Sequence, residues 1–213
     1  VIGSREVSFQ IVAKSLAKPS SGTDLIAVEV IPDSFSYDGT EKKPTVLVTY
    51  QYGTEVEVRQ LTEGSDFTVA YSNNIHAGTA TAVISGIGNY TGSRTVEYTI
   101  TEKSFDGAIV TFPNGTSYPY MGSDNGVEPE VQVTLDGNVH TAGTDYEVSY
   151  QNNKACGTAT VTVTGKGSYA GSVTAPFTIV SHDIAAADVT VDPIPNQAYT
   201  GQPVIPEVKV TCG

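Results

Sequence analysis

One stretch of 23 residues occurs twice in this chain, and that repetition restricts the fold more than any other feature. The first copy, YSNNIHAGTATAVISGIGNYTGS, runs from Tyr71 to Ser93, and the second, YQNNKACGTATVTVTGKGSYAGS, from Tyr150 to Ser172. A Tyr-x-Gly turn at Tyr37–Gly39 likewise returns at Tyr120–Gly122 and Tyr199–Gly201. A period of about 80 residues is the length of one small domain. The sequence therefore predicts a tandem array of small modules.

The phase of the repeat predicts where each module begins and ends. VIGSREVSFQI at the start of the sequence matches YTGSRTVEYTI at 90–100, so residues 1–12 are predicted to be the last strand of a preceding module. Two complete modules are predicted at 13–101 and 102–180. Residues 181–213 match the opening strands of a module and are predicted to begin a following, truncated one.

Apolar side chains alternate along most of each module, which is typical of half-buried β-strands. The first module contains TVLVTY, DFTVAY, TATAVIS and TVEYTI, and the second contains EVQVTL, DYEVSY, TATVTVT and TAPFTI. With an opening strand and a short strand near 56–59, the pattern predicts an all-β fold of tandem immunoglobulin-like antiparallel β-sandwiches. Each sandwich would have about six or seven strands, and the sandwiches would follow one another as beads on a string.

The same alternation predicts which side chains fill each core, because a period of two places every other residue on one face of a strand. In the first module these are Val46, Val48, Phe67, Val69, Tyr71, Ala80, Ala82, Ile84, Val96, Tyr98 and Ile100. In the second they are Val131, Val133, Tyr146, Val148, Tyr150, Ala159, Val161, Val163, Ala175, Phe177 and Ile179.

The repeated glycines GIGNYTG and GKGSYAG could be phosphate-binding loops or tight turns. A phosphate loop follows a strand and opens a helix, whose N-terminus holds the anion. Here each glycine stretch precedes a strand pattern instead, so we expect turns in which glycine accepts a positive φ. The Asn-Asn pairs at 73–74 and 152–153 are expected to form hairpin loops for a similar reason, since Asn tolerates left-handed backbone.

The order of these motifs resembles the bacterial immunoglobulin-like tandem repeats of large Gram-positive surface proteins, over essentially the whole chain. The first set of matching residues is Tyr37, Gly39, Pro44, Asp66, Phe67, Asn73, Asn74, Gly78, Gly86, Gly88, Tyr90 and Gly92. The second set is Tyr120, Gly122, Pro129, Asp145, Tyr146, Asn152, Asn153, Gly157, Gly165, Gly167, Tyr169 and Gly171. We expect these residues to be structural, with no catalytic, cofactor-binding or metal-binding role.

The resemblance implies a structural stalk or spacer of a secreted or cell-surface protein of the cell wall, which projects or links other domains. Two alternatives remain open. The modules could be adhesins that bind a host protein or glycan through the variable loops 51–62 and 114–126, or they could self-associate into an extracellular filament by strand donation. Neighbouring modules of the same chain are the expected partners.

The charge of the chain argues against nucleic acid as a partner. Its 23 acidic and 11 basic residues give a net charge of −12, whereas phosphate binding needs clustered Lys and Arg. No apolar run approaches the roughly 18 residues that span a membrane, so no membrane insertion is expected within this stretch.

No pattern in the sequence predicts catalysis. The three histidines, His76, His140 and His182, stand at unrelated positions of the repeat and lack a Ser or Cys partner motif. Asp66 and Asp145 do repeat and are expected to accept turn amides. Calcium at module junctions, near Asp106, Asp183 and Asp188, is the weaker alternative, because the six to eight oxygen ligands that it needs are not clustered.

Three further residue types are candidates for special roles. Tyr50 with Tyr52, and Tyr118 with Tyr120, are the only tyrosine clusters that could face outward as a sugar platform, although strand-end packing is favoured. No Lys-to-Asn cross-link is predicted, because the lysines have no equivalents in the other module. Cys156 and Cys212 are expected to be unpaired buried thiols, with a bridge between modules as the minor option.

Overall fold

The fold is all-β, as the alternation predicted. A computed structural model describes residues 3–52, 57–120, 122, 125–181, 183–185 and 189–212. Over these ranges the chain forms strands and turns and contains no helix. It follows that no helix in the described part of the chain is long and apolar enough to cross a membrane.

The strands are short and follow one another closely along the chain. They are β1 (Lys14–Ser15), β2 (Ile26–Ile31), β3 (Ser34–Ser36), β4 (Thr45–Tyr52), β5 (Glu57–Gln60), β6 (Phe67–Ser72), β7 (Gly78–Gly86), β8 (Tyr90–Thr91), β9 (Ser93–Thr101), β10 (Lys103–Ser104), β11 (Ile109–Thr111), β12 (Ser117–Pro119), β13 (Gln132–Leu135), β14 (Asn138–His140), β15 (Tyr146–Gln151), β16 (Gly157–Gly165), β17 (Tyr169–Ala170), β18 (Ser172–Val180), β19 (Val189–Val191) and β20 (Val210–Cys212).

The chain divides into two compact units. Unit 1 comprises Val1–Ser104 and Lys166–Ala170, and unit 2 comprises Phe105–Gly165 and Gly171–Gly213. The short segment Lys166–Ala170 thus belongs to unit 1, although in sequence it is the glycine-rich turn of the second repeat.

Unit 1 contains a three-stranded sheet in the order β2-β4-β5 and a four-stranded sheet in the order β3-β9-β7-β6. Neighbouring strands are antiparallel except at one edge, where β3 runs parallel to β9 with Phe35 opposite Ile100. Two short parallel ladders complete the unit: β1 pairs with β8, and β10 pairs with β17.

Unit 2 repeats this topology. Its sheets have the orders β11-β13-β14 and β12-β18-β16-β15, and again the only parallel pair among their described strands is the edge pair, β12 with β18. Asp136 and Gly137, both with positive φ, form the two-residue turn between β13 and β14, as hairpin geometry favours. A separate antiparallel pair, β19 with β20, follows.

The predicted core residues line the space between the two sheets of unit 1. Val46 and Val48 from one sheet and Ile84, Tyr98 and Ile100 from the other belong to one buried cluster, which confirms the predicted inward face. In unit 2, Val133, Val161, Val163, Phe177 and Ile179 are buried in the same way.

Several core residues were not predicted: Ile26, Leu61, Ala108 and Leu135 are buried, and so are Leu16 and Phe105, the two least exposed of the set. Leu16 is 1% exposed and Phe105 is 0% exposed, and each directly follows a two-residue strand, β1 or β10. Phe105 packs edge-on against Tyr146 and His140, with ring centroids 6.3 and 5.5 Å away.

The prediction that Cys156 is buried is wrong. Its thiol is free, as expected, but it is exposed, because it lies in the hairpin loop between β15 and β16 and points away from the core. The side chain of Cys212 lies outside the described residues.

Residues 1–12 were predicted to be the last strand of a preceding module, and the described part of this segment, 3–12, contains no strand here. Val7, Phe9 and Ile11 are 79%, 84% and 91% exposed. The predicted pairing concerned a preceding module, so it stays a prediction.

Candidate functional site

The repeated asparagines hold a hairpin loop against the chain that leads into β4. Asn73 has a φ of 54°, which turns the backbone, and the buried side chain of Asn74 donates from Nδ2 to the Lys42 carbonyl at 3.2 Å. In return, the Lys42 amide donates to the Asn74 carbonyl at 2.7 Å. The amide side chain and the backbone together therefore form a latch between two segments.

The second repeat makes the same latch with different neighbours. Asn152 has a φ of 56°, and Asn153 Nδ2 donates to the carbonyls of Val127 and Asn125, each at 3.2 Å. The Val127 amide donates back to the Asn153 carbonyl at 2.8 Å. Because Val127 stands where Lys42 stands in the first repeat, the latch depends on the asparagine and on backbone atoms alone.

The tyrosine two residues before each asparagine pair donates a hydrogen bond to the same chain segment. The Tyr71 hydroxyl donates to the Pro44 carbonyl at 2.7 Å, and the Tyr150 hydroxyl donates to the Pro129 carbonyl at 2.5 Å. Burial raises the pKa of both tyrosines, so the hydroxyls stay protonated and remain donors.

The repeated aspartates close the turn before β6 and β15. Asp66 accepts from the Thr62 amide and Asp145 accepts from the Thr141 amide, each through Oδ2 at 2.9 Å. Within the described residues, no group of three or more His, Cys, Asp or Glu side chains could hold a metal ion. These two hydrogen bonds support the interpretation of Asp66 and Asp145 as residues that accept turn amides. Asp106 and Asp183 add no such group, and Asp188 lies outside the described residues.

The glycine-rich stretch forms a tight corner rather than the start of a helix. Gly88 has a φ of 64° and Gly167 one of 68°. At Gly86 a Cβ atom would lie 2.6 Å from the Thr91 backbone nitrogen, so a side chain there would push the corner apart. The corner leads into a strand in both repeats, which removes the helix N-terminus that a phosphate loop requires.

The Tyr-x-Gly turn is a further repeated motif. Gly39 and Gly122 have φ values of 81° and 65°. Between Tyr37 and Gly39, the Asp38 carboxylate accepts from Lys42 Nζ at 2.5 Å and from the Thr40 amide at 2.9 Å. The Lys42 ammonium, followed by the Thr40 bonds, holds the pKa of Asp38 far below its usual range.

The tyrosine clusters that could face outward behave differently in the two repeats. Tyr118 packs its ring edge-on against buried Phe177, 5.9 Å between centroids, and belongs to the core of unit 2. Tyr52 is 42% exposed and lies 5.8 Å from Tyr50, whose ring has the Lys14 ammonium 5.1 Å from its centroid. Aromatic surface is accessible beside both variable loops, at Tyr52 in unit 1 and at Tyr120, which is 38% exposed, in the second repeat.

The described histidines lie in separate places. His76 Nδ1 is 3.5 Å from Ser168 Oγ, and His140 Nδ1 is 3.5 Å from Asp145 Oδ2. His182 lies outside the described residues. The expectation that the chain is not an enzyme stays a prediction.

One ion pair in unit 1, between Arg94 and Asp24, was not predicted from the sequence. Arg94 donates through Nη2 to both oxygens of Asp24, at 2.9 and 2.8 Å, and also to the carbonyls of Ile26 and Leu16. The hydrogen bond from Arg94 lowers the pKa of Asp24. The only sequence signal was Gly-Ser-Arg at 92–94, which also occurs at 3–5.

Comparison of the chain with models of protein families, with curated proteins and with solved structures finds no match in any of the three.

Proposed function

We propose that this chain is a stalk segment of a secreted or cell-surface multi-repeat protein, in which immunoglobulin-like modules of the Gram-positive type carry tension between other domains. The observation that supports the proposal most is the parallel pairing of a strand near the start of each repeat with the strand that ends it. These pairs are β3 with β9 and β12 with β18.

Parallel pairing of a short strand near the start of a repeat with the long strand that ends it affects how the repeat resists a pulling force. Tension applied at its two ends slides the paired strands past each other, so their hydrogen bonds are loaded together rather than one after another. In unit 1 the bonds include Tyr37 N to Thr101 O and Thr99 N to Asp33 O, both 2.9 Å. In unit 2 the Tyr120 amide donates to the Val180 carbonyl at 2.8 Å in the equivalent place.

The repeated motif residues support the same proposal. The asparagine, tyrosine and aspartate side chains are engaged in hydrogen bonds within their own repeat, and the corner glycines are needed for backbone shape. A motif whose polar groups are satisfied internally has little left to bind a ligand.

A force-ramp measurement on the full chain, tethered at its two ends, tests the proposal. We expect two main rupture events, each releasing about 25 nm of chain, which is the contour length of roughly 80 unfolded residues less the folded span. Extension without rupture events, or a single event for both repeats, would argue against a load-bearing stalk.

An adhesin is the second candidate, and the exposed Tyr52 beside Tyr50 favours it. Saturable binding to a glycan or matrix-protein array would support it if exchange of residues 51–62 for the shorter 136–141 abolished the binding. The same exchange should leave the rupture forces of unit 2 unchanged, so the two functions can be tested separately.

A further inference from the structure

The loop between β1 and β2 is longer than its counterpart in the second repeat. Leu16, just after β1, and Ile26, the first residue of β2, are both buried, and the nine residues 17–25 separate them. The register of β2 on β4 and of β11 on β13 makes Ala108 the counterpart of Ile26. Only two residues separate Ala108 from the buried Phe105, so the first repeat has nine minus two, or seven, additional residues here.

These additional residues lie at the surface. Residues 17–24 are all exposed, and their sequence, AKPSSGTD, is rich in the small polar residues that are typical of flexible linkers. The loop therefore adds chain length to the first repeat and almost no buried surface.

Arg94 holds the two ends of this loop together. Its Nε donates to the Leu16 carbonyl at 3.2 Å, and its Nη1 donates to the Ile26 carbonyl at 2.6 Å. Its Nη2 donates to both carboxylate oxygens of Asp24, at 2.9 and 2.8 Å. The planar fork of a guanidinium suits several acceptors at once, and this side chain is only 13% exposed. We call these four hydrogen bonds the Arg94 bridge.

The long loop and the arginine occur together. Arg94 lies opposite Ile84 in the β7–β9 ladder, and Val173 lies opposite Val163 in the equivalent β16–β18 ladder. The second repeat thus has valine in place of Arg94 and also lacks the long loop. The bridge is found in the repeat that has additional chain length to hold.

Tension along the chain reaches this loop before it reaches the sheets of unit 1. β1 runs parallel to β8, with the Lys14 amide donating to the Asn89 carbonyl at 2.9 Å. The Leu16 amide donates to the Thr91 carbonyl at 2.8 Å. This short ladder joins the incoming chain directly to the segment that leads into β9. It must therefore separate before the load reaches β3.

We propose that residues 17–25 are a stored length of chain, which the Arg94 bridge keeps closed and releases under load before β3 separates from β9. Nine residues at about 3.3–3.6 Å each, less the short distance between the bridged ends, extend by about 2.5 nm. The sheets β2-β4-β5 and β3-β9-β7-β6 stay paired during this step. The loop lengthens the stalk without unfolding the module. This inference rests on the proposed stalk function.

The force-ramp measurement on the full chain also tests this inference. We expect a short step of about 2.5 nm before one of the two main ruptures. Deleting the four residues 18–21, which leaves both bridged ends in place, should shorten that step by about 1.4 nm. Arg94→Val, the residue found at position 173, should lower the force of the short step and leave the main rupture forces unchanged. The matched control Arg59→Val, at an exposed arginine of the same unit, should change neither.

Circular dichroism melting establishes that each variant is folded. The loop deletion retains the bridge, so it decides the matter even where Arg94→Val does not fold. Two main ruptures without a preceding short step, or a step whose length the deletion leaves unchanged, would overturn this inference while the stalk proposal stands. Traces that lack the main ruptures would contradict the stalk proposal, and this inference with it.

Discussion

The substitution Phe177→Ala tests whether the two units unfold independently of each other. The side chain is 2% exposed and its ring contacts those of Phe112, Tyr118 and Tyr150, with centroids 5.8, 5.9 and 6.1 Å away. Replacing a buried Phe by Ala costs about 3–5 kcal/mol, because transfer energy is lost and a cavity remains. For a unit of about 80 residues this lowers the melting temperature by roughly 15–30 °C.

The effect on unit 1 should be small but measurable. The corner 166–170 belongs to unit 1, where Ser168 Oγ accepts from the Ala77 amide at 3.1 Å and the Tyr169 ring lies 5.3 Å from that of Tyr37. When the chain on either side of this corner unfolds with unit 2, unit 1 loses both contacts. One hydrogen bond and one aromatic pair together contribute about 1–2 kcal/mol. The unit 1 transition should therefore fall by about 5–12 °C, less than half the shift of unit 2.

Differential scanning calorimetry of the full chain distinguishes these outcomes. We expect the melting temperature of unit 2 to fall far and that of unit 1 to fall much less. Val180→Ala, on the same strand but 43% exposed, should leave both nearly unchanged. If both transitions fell together by the same large amount, the two units would be one cooperative domain and the reasoning would be refuted.

Three further perturbations have expected outcomes. Asn74→Ala removes the latch to the Lys42 carbonyl and should destabilise unit 1 by about 1–2 kcal/mol in urea melts, while the exposed Asn114→Ala should not. Gly86→Ala should cost unit 1 about 1–3 kcal/mol, since its Cβ would lie 2.6 Å from a backbone nitrogen, whereas Gly107→Ala meets no atom closer than 4.0 Å and should be tolerated. Asp24 has a folded pKa below its ordinary value of 3.8, so its pairing stabilises unit 1 above pH 3.8 and that contribution disappears as the pH falls through the lower folded value. Asp24→Asn should lower the unit 1 melting temperature at pH 7 and flatten its dependence on pH below about 4.

The long strands and their inward faces could be predicted from the sequence because period-2 alternation is a local signal. Val46 to Tyr50 and Thr95 to Ile100 carry it over enough residues to be recognised. The three-residue strands β3 and β12 are too short to show a period, although the stalk proposal rests on their parallel pairing with the closing strand.

Contacts between distant parts of the chain were beyond sequence reasoning. Leu16 and Phe105 are isolated apolar residues in polar surroundings, so nothing local marks them as core. Arg94 and Asp24 are 70 residues apart, and only the fold brings them together. Cys156 was predicted to be an unpaired buried thiol because the cysteines do not recur with the repeat, but that argument concerns pairing and not burial, and Cys156 lies in an exposed loop.

The direction in which a repeat resists force tests the stalk proposal most directly. One tether geometry pulls the full chain through its ends and loads β3 against β9 in shear. The other pulls through the exposed positions Val58 and Ile75, which lie outside this strand pair. At the same loading rate, we expect unit 1 to rupture at a clearly higher force in the first geometry. Equal forces, or a lower force through the chain ends, would contradict a module built to carry tension along its length.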